Sequence, residues 1–173
     1  MYREFERHRQ QGKPFCICYL DLDHFKPFSD RFGFAAADQV IRAVGSILIR
    51  VTPSGTFVGH VGGDDFVVFA KCSDARALMK EAQRLLREAL REILPNGEGN
   101  KETYRGVDRE GVTRDFRLTR LTAAIIEVDP RGMDSMFDLS QMVAEAKRRA
   151  KHPAGDGIAE LKYSRVASDP RRS

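Results

Sequence analysis

The 173-residue chain has no tryptophan, only three cysteines and no long apolar run. A membrane-crossing helix needs about 18 or more apolar residues, so none is expected here. Met1 is followed by Tyr-Arg-Glu-Phe-Glu-Arg, too charged for the apolar core of a signal peptide. The cysteine count is odd. Cys16 and Cys18 alternate on a predicted strand, too close along it for a comfortable disulfide, and Cys72 follows another strand. Reduced thiols in a cytoplasm are the expectation. A zinc finger would need more ligands at finger-like spacing. Excess charge of one sign is also scarce: 29 Lys and Arg against 25 Asp and Glu leave +4. Most of that excess comes late, at Lys147, Arg148, Arg149 and Lys151, then at Arg171 and Arg172. Such a run is a solvated helix face or a phosphate patch. No RNP-like run of exposed aromatics accompanies it, so nucleic acid is not an expected partner.

What is present suits one domain. Its apolar fraction of 42% and charged fraction of 31% are those of a globular chain. Tyr2 to Gln11 is a charged segment of helical propensity anchored by Phe5. Phe15 to Leu20 is an unbroken apolar run, the pattern of a central strand buried on both faces. A short helix follows, with Asp23 or His24 at its start, Pro27 just inside and Gly33 closing it. Val40, Ile41, Val44, Ile47, Leu48 and Val51 recur at helical spacing, with Asp38 in the first turn. Asp74 to Leu94 predicts a third helix whose core face is Leu78, Ala82, Leu85, Ala89 and Ile93. Thr103 to Val107 and Thr113 to Val128 read as a strand pair, with a bend near Leu118 to Leu121. Asp138 to Ala150 is a fourth helix with Leu139, Met142, Val143 and Ala146 inward, and Ile158 to Tyr163 is a last strand. The residues after it, 165–173, form a loose tail. Local hairpins mixed with crossover helices predict an α+β fold. Its central, mainly antiparallel sheet is flanked by helices and carries an extra β-hairpin around residues 103–118.

The chemistry gathers at two carboxylate pairs. Gly62-Gly63-Asp64-Asp65 lies between the strand-like Val58 to His60 and Phe66 to Phe69. Two glycines there mark a tight hairpin with a bare backbone that a ligand can approach. Asp21 and Asp23 end the first apolar strand. As plain turn and cap chemistry, Gly-Asp and Asp23 are ordinary. Caps do not account for Asp64 and Asp65 as well. The predicted topology sets the end of the first strand beside the hairpin tip, bringing Asp21 to Asp64. Carboxylates converging from two strands suit Mg²⁺ or Mn²⁺ with substrate phosphates. The start of the short helix adds backbone N–H groups for phosphate, and Lys26 a charge.

These residues resemble the GGDEF domain of diguanylate cyclases, which join two GTP into cyclic di-GMP. Asp21-Leu-Asp-His-Phe-Lys26 with Asp30, Gly33 and Asp38 is similar to the family pattern D-x-D-x-F-K-x-x-N-D-x-x-G-H-x-x-G-D. Gly62-Gly-Asp-Asp-Phe66 is similar to G-G-D/E-E-F, and Ala146-Lys147 with Lys151 to a late A-K-x-x-G-R. The resemblance implies a palm-like nucleotidyl-cyclase core over a single domain, 1–173. It assigns Asp21, the Leu22 carbonyl and Asp64 to metal. His24, Phe25 and Lys26 go to phosphates with Lys147 and Lys151, and the Gly62 and Gly63 backbone lies beside them. Ser29 and Asp38 go to the guanine edge, and Asp64, Asp65 and Lys26 to the reaction. It also implies a transient homodimer, in which each 3′-hydroxyl attacks the other nucleotide's α-phosphate.

Departures from the pattern are specific. Ser29 stands where the family has Asn, Phe34 where it has His, Ala37 where it has Gly, His60 where it has Arg, and Asp65 where it has Glu. The family's inhibitory R-x-x-D window reads Pro53-Ser-Gly-Thr56. The D-x-L-T-x-L-x-N-R segment that usually precedes the first strand is absent, so a piece of a larger multidomain protein or a divergent start is expected. Two readings follow. One is a cyclase, weak alone. The other is a degenerate domain that binds GTP or cyclic di-GMP and regulates an attached regulatory or phosphodiesterase domain.

Overall fold

The computed structural model describes residues 2–108, 110–130, 136–152 and 154–163. The expected tail, with Arg171 and Arg172, lies outside them. The chain runs α1 (Tyr2–Gln10), β1 (Phe15–Leu22), α2 (Phe25–Phe32), α3 (Phe34–Val51), β2 (Val58–Gly62), β3 (Asp65–Ala70), α4 (Cys72–Ile93), β4 (Thr103–Val107), β5 (Thr113–Arg117), β6 (Leu121–Val128), α5 (Met136–Ala150) and β7 (Ile158–Lys162). A 3-10 turn at Pro95–Asn100 follows α4. The main sheet has the order β2-β3-β1-β6-β7. Every pair in it is antiparallel except β6 with β7. The α+β class and the mainly antiparallel sheet are therefore as expected.

The apolar run Phe15 to Leu20 is the middle strand, buried along nearly its whole length. It separates two cores. Cys18, Leu20 and Leu22 face Phe28, Val44, Leu48, Met79 and Leu86 on one side. Ile17 and Phe15 face Phe5, Phe69, Ile126 and Leu139 on the other. Each such aliphatic side chain contributes about 1.5–3 kcal/mol by burial. The free Cys16 and Cys72 thiols meet at 2.7 Å between β1 and the start of α4.

Three expectations need correction. The buried stripe of α4 is Ala75, Met79, Ala82, Leu86 and Leu90. Of the predicted face, only Ala82 is fully buried; Leu78, Leu85, Ala89 and Ile93 flank the core half-covered. The cause is that α4 packs against α3 as well as the sheet, so two neighbouring stripes are apolar. Helix α3 begins at Phe34, which puts Asp38 in its second turn and not its first. The long strand predicted from Thr113 to Val128 is two strands, broken at Leu118–Arg120, where the bend was expected. Its first half pairs with β4 as a separate two-stranded sheet. Tyr104 of that hairpin lies against Phe28 and Phe32 of α2, and Phe116 stacks on Tyr104.

Candidate active site

The antiparallel register pairs Leu20 with Phe66, so the next residue of β1, Asp21, adjoins Asp65 at the start of β3. Gly63 and Asp64 form the turn between β2 and β3, closed by the Gly62–Asp65 pair. Gly63 has φ 57°, a left-handed value that favours glycine. A β-carbon built at Gly62 or Gly63 meets nothing within 4 Å, so the backbone angle, not crowding, calls for glycine, and the turn's surface is bare. His60 holds the turn from behind. Its Nε2 is 2.9 Å from the Gly63 carbonyl oxygen, and its ring stacks on Phe66 at 4.6 Å.

Helix α5 brings cations to this end of the sheet. Lys147 Nζ donates to Asp65 Oδ1 at 2.6 Å and lies 3.0 Å from Asp21 Oδ2. Lys151 Nζ lies 2.5 Å from Asp21 Oδ1. That last contact is an ion pair without hydrogen-bond geometry: Asp21 Oδ1 is buried and has no hydrogen-bond partner. Burial raises the Asp64 pKa. Its own backbone N–H and Lys151 oppose the rise, and the charges of Asp21 and Asp65 add to it. For Lys147, burial works to lower the pKa, but the contacts with Asp65 and Asp21 outweigh it and the net shift is upward.

This donor set fits a hard cation. A buried carboxylate oxygen with charge but no hydrogen bond facing it, beside a second carboxylate of raised pKa, is a place where a divalent ion replaces an ammonium. Among the described residues no group of three or more His, Cys, Asp or Glu surrounds one point. Two carboxylates and a carbonyl leave the other positions to phosphate and water, as Mg²⁺ prefers.

The remaining predicted residues sit on α2 and α3. His24 is the residue before α2, at φ 55° and ψ 29°, without a side-chain cap. Asp23 is therefore no helix cap: the left-handed turn at His24 carries the chain away, and the Asp23 carboxylate accepts from Arg120 Nε at 2.9 Å. Phe25 opens α2. Lys26 reaches back to neither carboxylate pair; its Nζ holds both oxygens of Asp30 at 2.5 and 2.7 Å on an exposed face. Ser29 is half-buried in mid-helix. Asp38 is exposed and paired with Arg42 at 2.9 Å. The structure thus gathers Asp21, Asp64, Asp65, Lys147 and Lys151, and leaves Lys26, Ser29 and Asp38 on helix surfaces.

The late basic run divides by helical phase. Arg148 and Arg149 turn to Glu145, whereas Lys147 and Lys151, four residues apart, face the carboxylates. The sequence reading passed over Thr119 and Arg120, which hold Asp23. The break in the predicted long strand was the available signal. A groove of about 700 Å³ is lined by Arg50, Glu81 and Arg84, and none of the carboxylates above borders it.

A family model described as "Diguanylate cyclase, GGDEF domain" matches residues 1–106. Diguanylate cyclase DgcP of Escherichia coli K12 is 31% identical over 153 residues, which is 86% of this chain and 40% of that protein. Cyclic di-GMP phosphodiesterase NbdA of Pseudomonas aeruginosa is 30% identical over 95 residues, 55% of this chain and 12% of that protein. The chain thus spans well under half the length of these curated relatives. Among solved structures, the GGDEF domain of DgcB from Caulobacter crescentus in complex with c-di-GMP superposes with a TM-score of 0.57 at 22% identity, over 91% of this chain and 84% of that one. With the model matched over residues 1–106 and its motif set on the hairpin turn beside the end of β1, the chain belongs to the GGDEF family.

Proposed function

We propose that this domain acts in cyclic di-GMP signalling by condensing two GTP into cyclic di-GMP and pyrophosphate, as one half of a transient homodimer. One observation carries the reading: Asp21 and Asp65, from two neighbouring strands, share the Lys147 ammonium, with Asp64 in the turn beside Asp65. Asp21, Asp64 and the Leu22 carbonyl would hold Mg²⁺ or Mn²⁺, which when bound neutralises the triphosphate and polarises the α-phosphate.

The chain's own groups do the rest. Lys147 and Lys151 pass from the carboxylates to phosphate oxygens once the nucleotide arrives. The exchange keeps each ammonium paired, so the buried charges are never stranded. The backbone N–H groups at His24 and Phe25 face the phosphates at the start of α2. Lys26 leaves Asp30 at little cost, because an exposed pair four residues apart is worth about 0.3–0.5 kcal/mol. Asp38 accepts from the guanine N1–H and exocyclic amine, and Ser29 lies at the opposite edge. Asp65, released by Lys147, stands next to the attacking 3′-hydroxyl. In this reading a second subunit is required: its nucleotide supplies the α-phosphate that this hydroxyl attacks, and pyrophosphate leaves.

A second reading is favoured by Ser29, Ala37, His60 and Asp65, which depart from the family motif, and by the likeness to a cyclic di-GMP phosphodiesterase. In it the domain binds nucleotide without turnover and regulates an attached domain. Concentrated protein incubated with GTP and Mg²⁺ or Mn²⁺, followed by chromatographic separation of the nucleotides, decides between them. Cyclic di-GMP formation supports the first reading. Mg²⁺-dependent GTP binding without product supports the second. Binding of neither GTP nor cyclic di-GMP overturns both.

A further inference from the structure

We propose that Arg120 is a positioning residue for the triphosphate site. The inference rests on the nucleotide-binding reading above. It starts from His24, a residue with a β-carbon in the left-handed region, where surroundings must hold it. The amides expected at phosphate belong to this turn. Its neighbour Asp23 is gripped at every polar group by the segment that leads from β5 into β6. The Asp23 N–H donates to the Arg120 carbonyl at 2.9 Å. Thr119 Oγ1 donates to the Asp23 carbonyl at 2.7 Å. Arg120 Nε donates to Asp23 Oδ2 at 2.9 Å.

The same guanidinium reaches the opposite wall. Arg120 Nη1 donates to the Gly155 carbonyl at 3.1 Å, in the loop that leaves α5 just after Lys151. One planar fork therefore ties the phosphate turn to the lysine arm. Asp23, His24, Arg117, Arg120 and Lys151 border a cavity of about 120 Å³ between the two. The hairpin packs on the turn and on α2 from another side: Phe116 lies 5.8 Å from the His24 ring, and Tyr104 meets Phe28 and Phe32 of α2. A parallel tie does not touch the phosphate turn. Gln83 Nε2 donates to the carbonyls of Leu121 and Asp156, joining the same strand to the same loop.

Gln83 makes the test specific. Four full-length forms of the chain are compared: wild type, Arg120→Gln, Arg120→Lys and Gln83→Ala. Amide hydrogen exchange reads residues 23–26, and calorimetry reads Mg²⁺ complexes of GTP and of inorganic triphosphate. Arg120→Gln is expected to speed exchange at residues 23–26 and to weaken GTP and inorganic triphosphate alike by about tenfold, the effect of one charge-assisted hydrogen bond. Arg120→Lys keeps the charge but loses the fork, and falls between. Gln83→Ala is expected to leave residues 23–26 and both affinities unchanged. Unchanged exchange and affinity in folded Arg120→Gln overturns the proposal. So does an equal loss in Gln83→Ala, which would make Arg120 a general structural tie. If wild type binds neither GTP nor triphosphate, the nucleotide reading fails and this inference with it; if wild type binds and Arg120→Gln matches it, only this inference fails.

Discussion

The carboxylate end of the site and the end proposed to hold the base are built differently. Asp21 and Asp65 sit at the ends of adjoining central strands, with Asp64 in the turn beside them, and Lys147 of α5 and Lys151 just after it already hold Asp21 and Asp65. Ser29 and Asp38 sit on separate helices, and Asp38 pairs with an exposed Arg42. Phe34, one turn before Asp38, is 86% exposed. The first region is organised before any ligand arrives, so its charges must be exchanged and not created. The second is open and depends on the ligand. Variants should therefore affect the carboxylate end by switching function off, and the base end by grading it.

The largest effect is expected from Asp64→Asn. Mg²⁺-dependent GTP binding and turnover should be abolished. Because burial and two neighbouring carboxylates hold the Asp64 pKa up, its ionised form is a cost to the fold above that pKa. The thermal midpoint at neutral pH should stay level or rise. Lost binding with a collapsed midpoint would mean that Asp64 is structural.

Lys147→Met comes next and moves stability the other way. It leaves Asp21 and Asp65 facing each other without their shared ammonium. A loss of about 1–3 kcal/mol is expected in denaturant unfolding at neutral pH, with GTP affinity at least about tenfold weaker. The raised Lys147 pKa means this contribution is fully present below the ordinary lysine range and fades only as pH climbs through the raised value. Wild type and variant should thus converge in stability at strongly alkaline pH. A constant gap would place the effect in packing of the lysine stem.

A middle-sized effect concerns product. With Pro53 and Thr56 in the inhibitory window, cyclic di-GMP is expected to bind only where GTP does. Saturating GTP should remove its calorimetric signal, as should Asp38→Ala. Tight binding that survives both contradicts this and points to a separate site.

The two regions also differ in how far they could be read from sequence. Asp21 and Asp64 were legible because a strand end and a glycine turn carry local signals, and the topology then brought them together. Lys147 and Lys151 were legible only through their resemblance to the family's late A-K-x-x-G-R segment; the division of the basic run by helical phase came with the structure. Arg120 was not: its role depends on a contact with Asp23, 97 residues away, and on Gly155 in a third segment. Lys26 was assigned to phosphate, and in the unliganded chain its helix neighbour Asp30 holds it. The stripe of α4 was displaced because periodicity gives a helix's apolar width and not which of two partners, sheet or α3, takes the centre.

The smallest effect belongs to the base end, and it separates the two regions most cleanly. Ser29 has a short hydroxyl with one donor, whereas Asn carries donor and acceptor on a longer arm. From mid-α2 the hydroxyl reaches a guanine edge poorly, or through water. In the proposed reading Asp38 gives up an exposed pair with Arg42 to read the other edge, which would hold the base at one side. Ser29→Asn should then tighten GTP by about 0.5–1.5 kcal/mol, roughly three- to tenfold. ATP, which presents a different edge, should barely change, and so should inorganic triphosphate, which has none. The thermal midpoint should hold, because the Ser29 backbone carbonyl accepts from the Gly33 N–H and Asn keeps that bond. Calorimetric titration of both proteins with all three ligands measures this. Equal GTP affinity would show that Ser29 lies away from the base. A matching gain for triphosphate would show that α2 works as part of the phosphate end, and the division between the two regions would have to be redrawn.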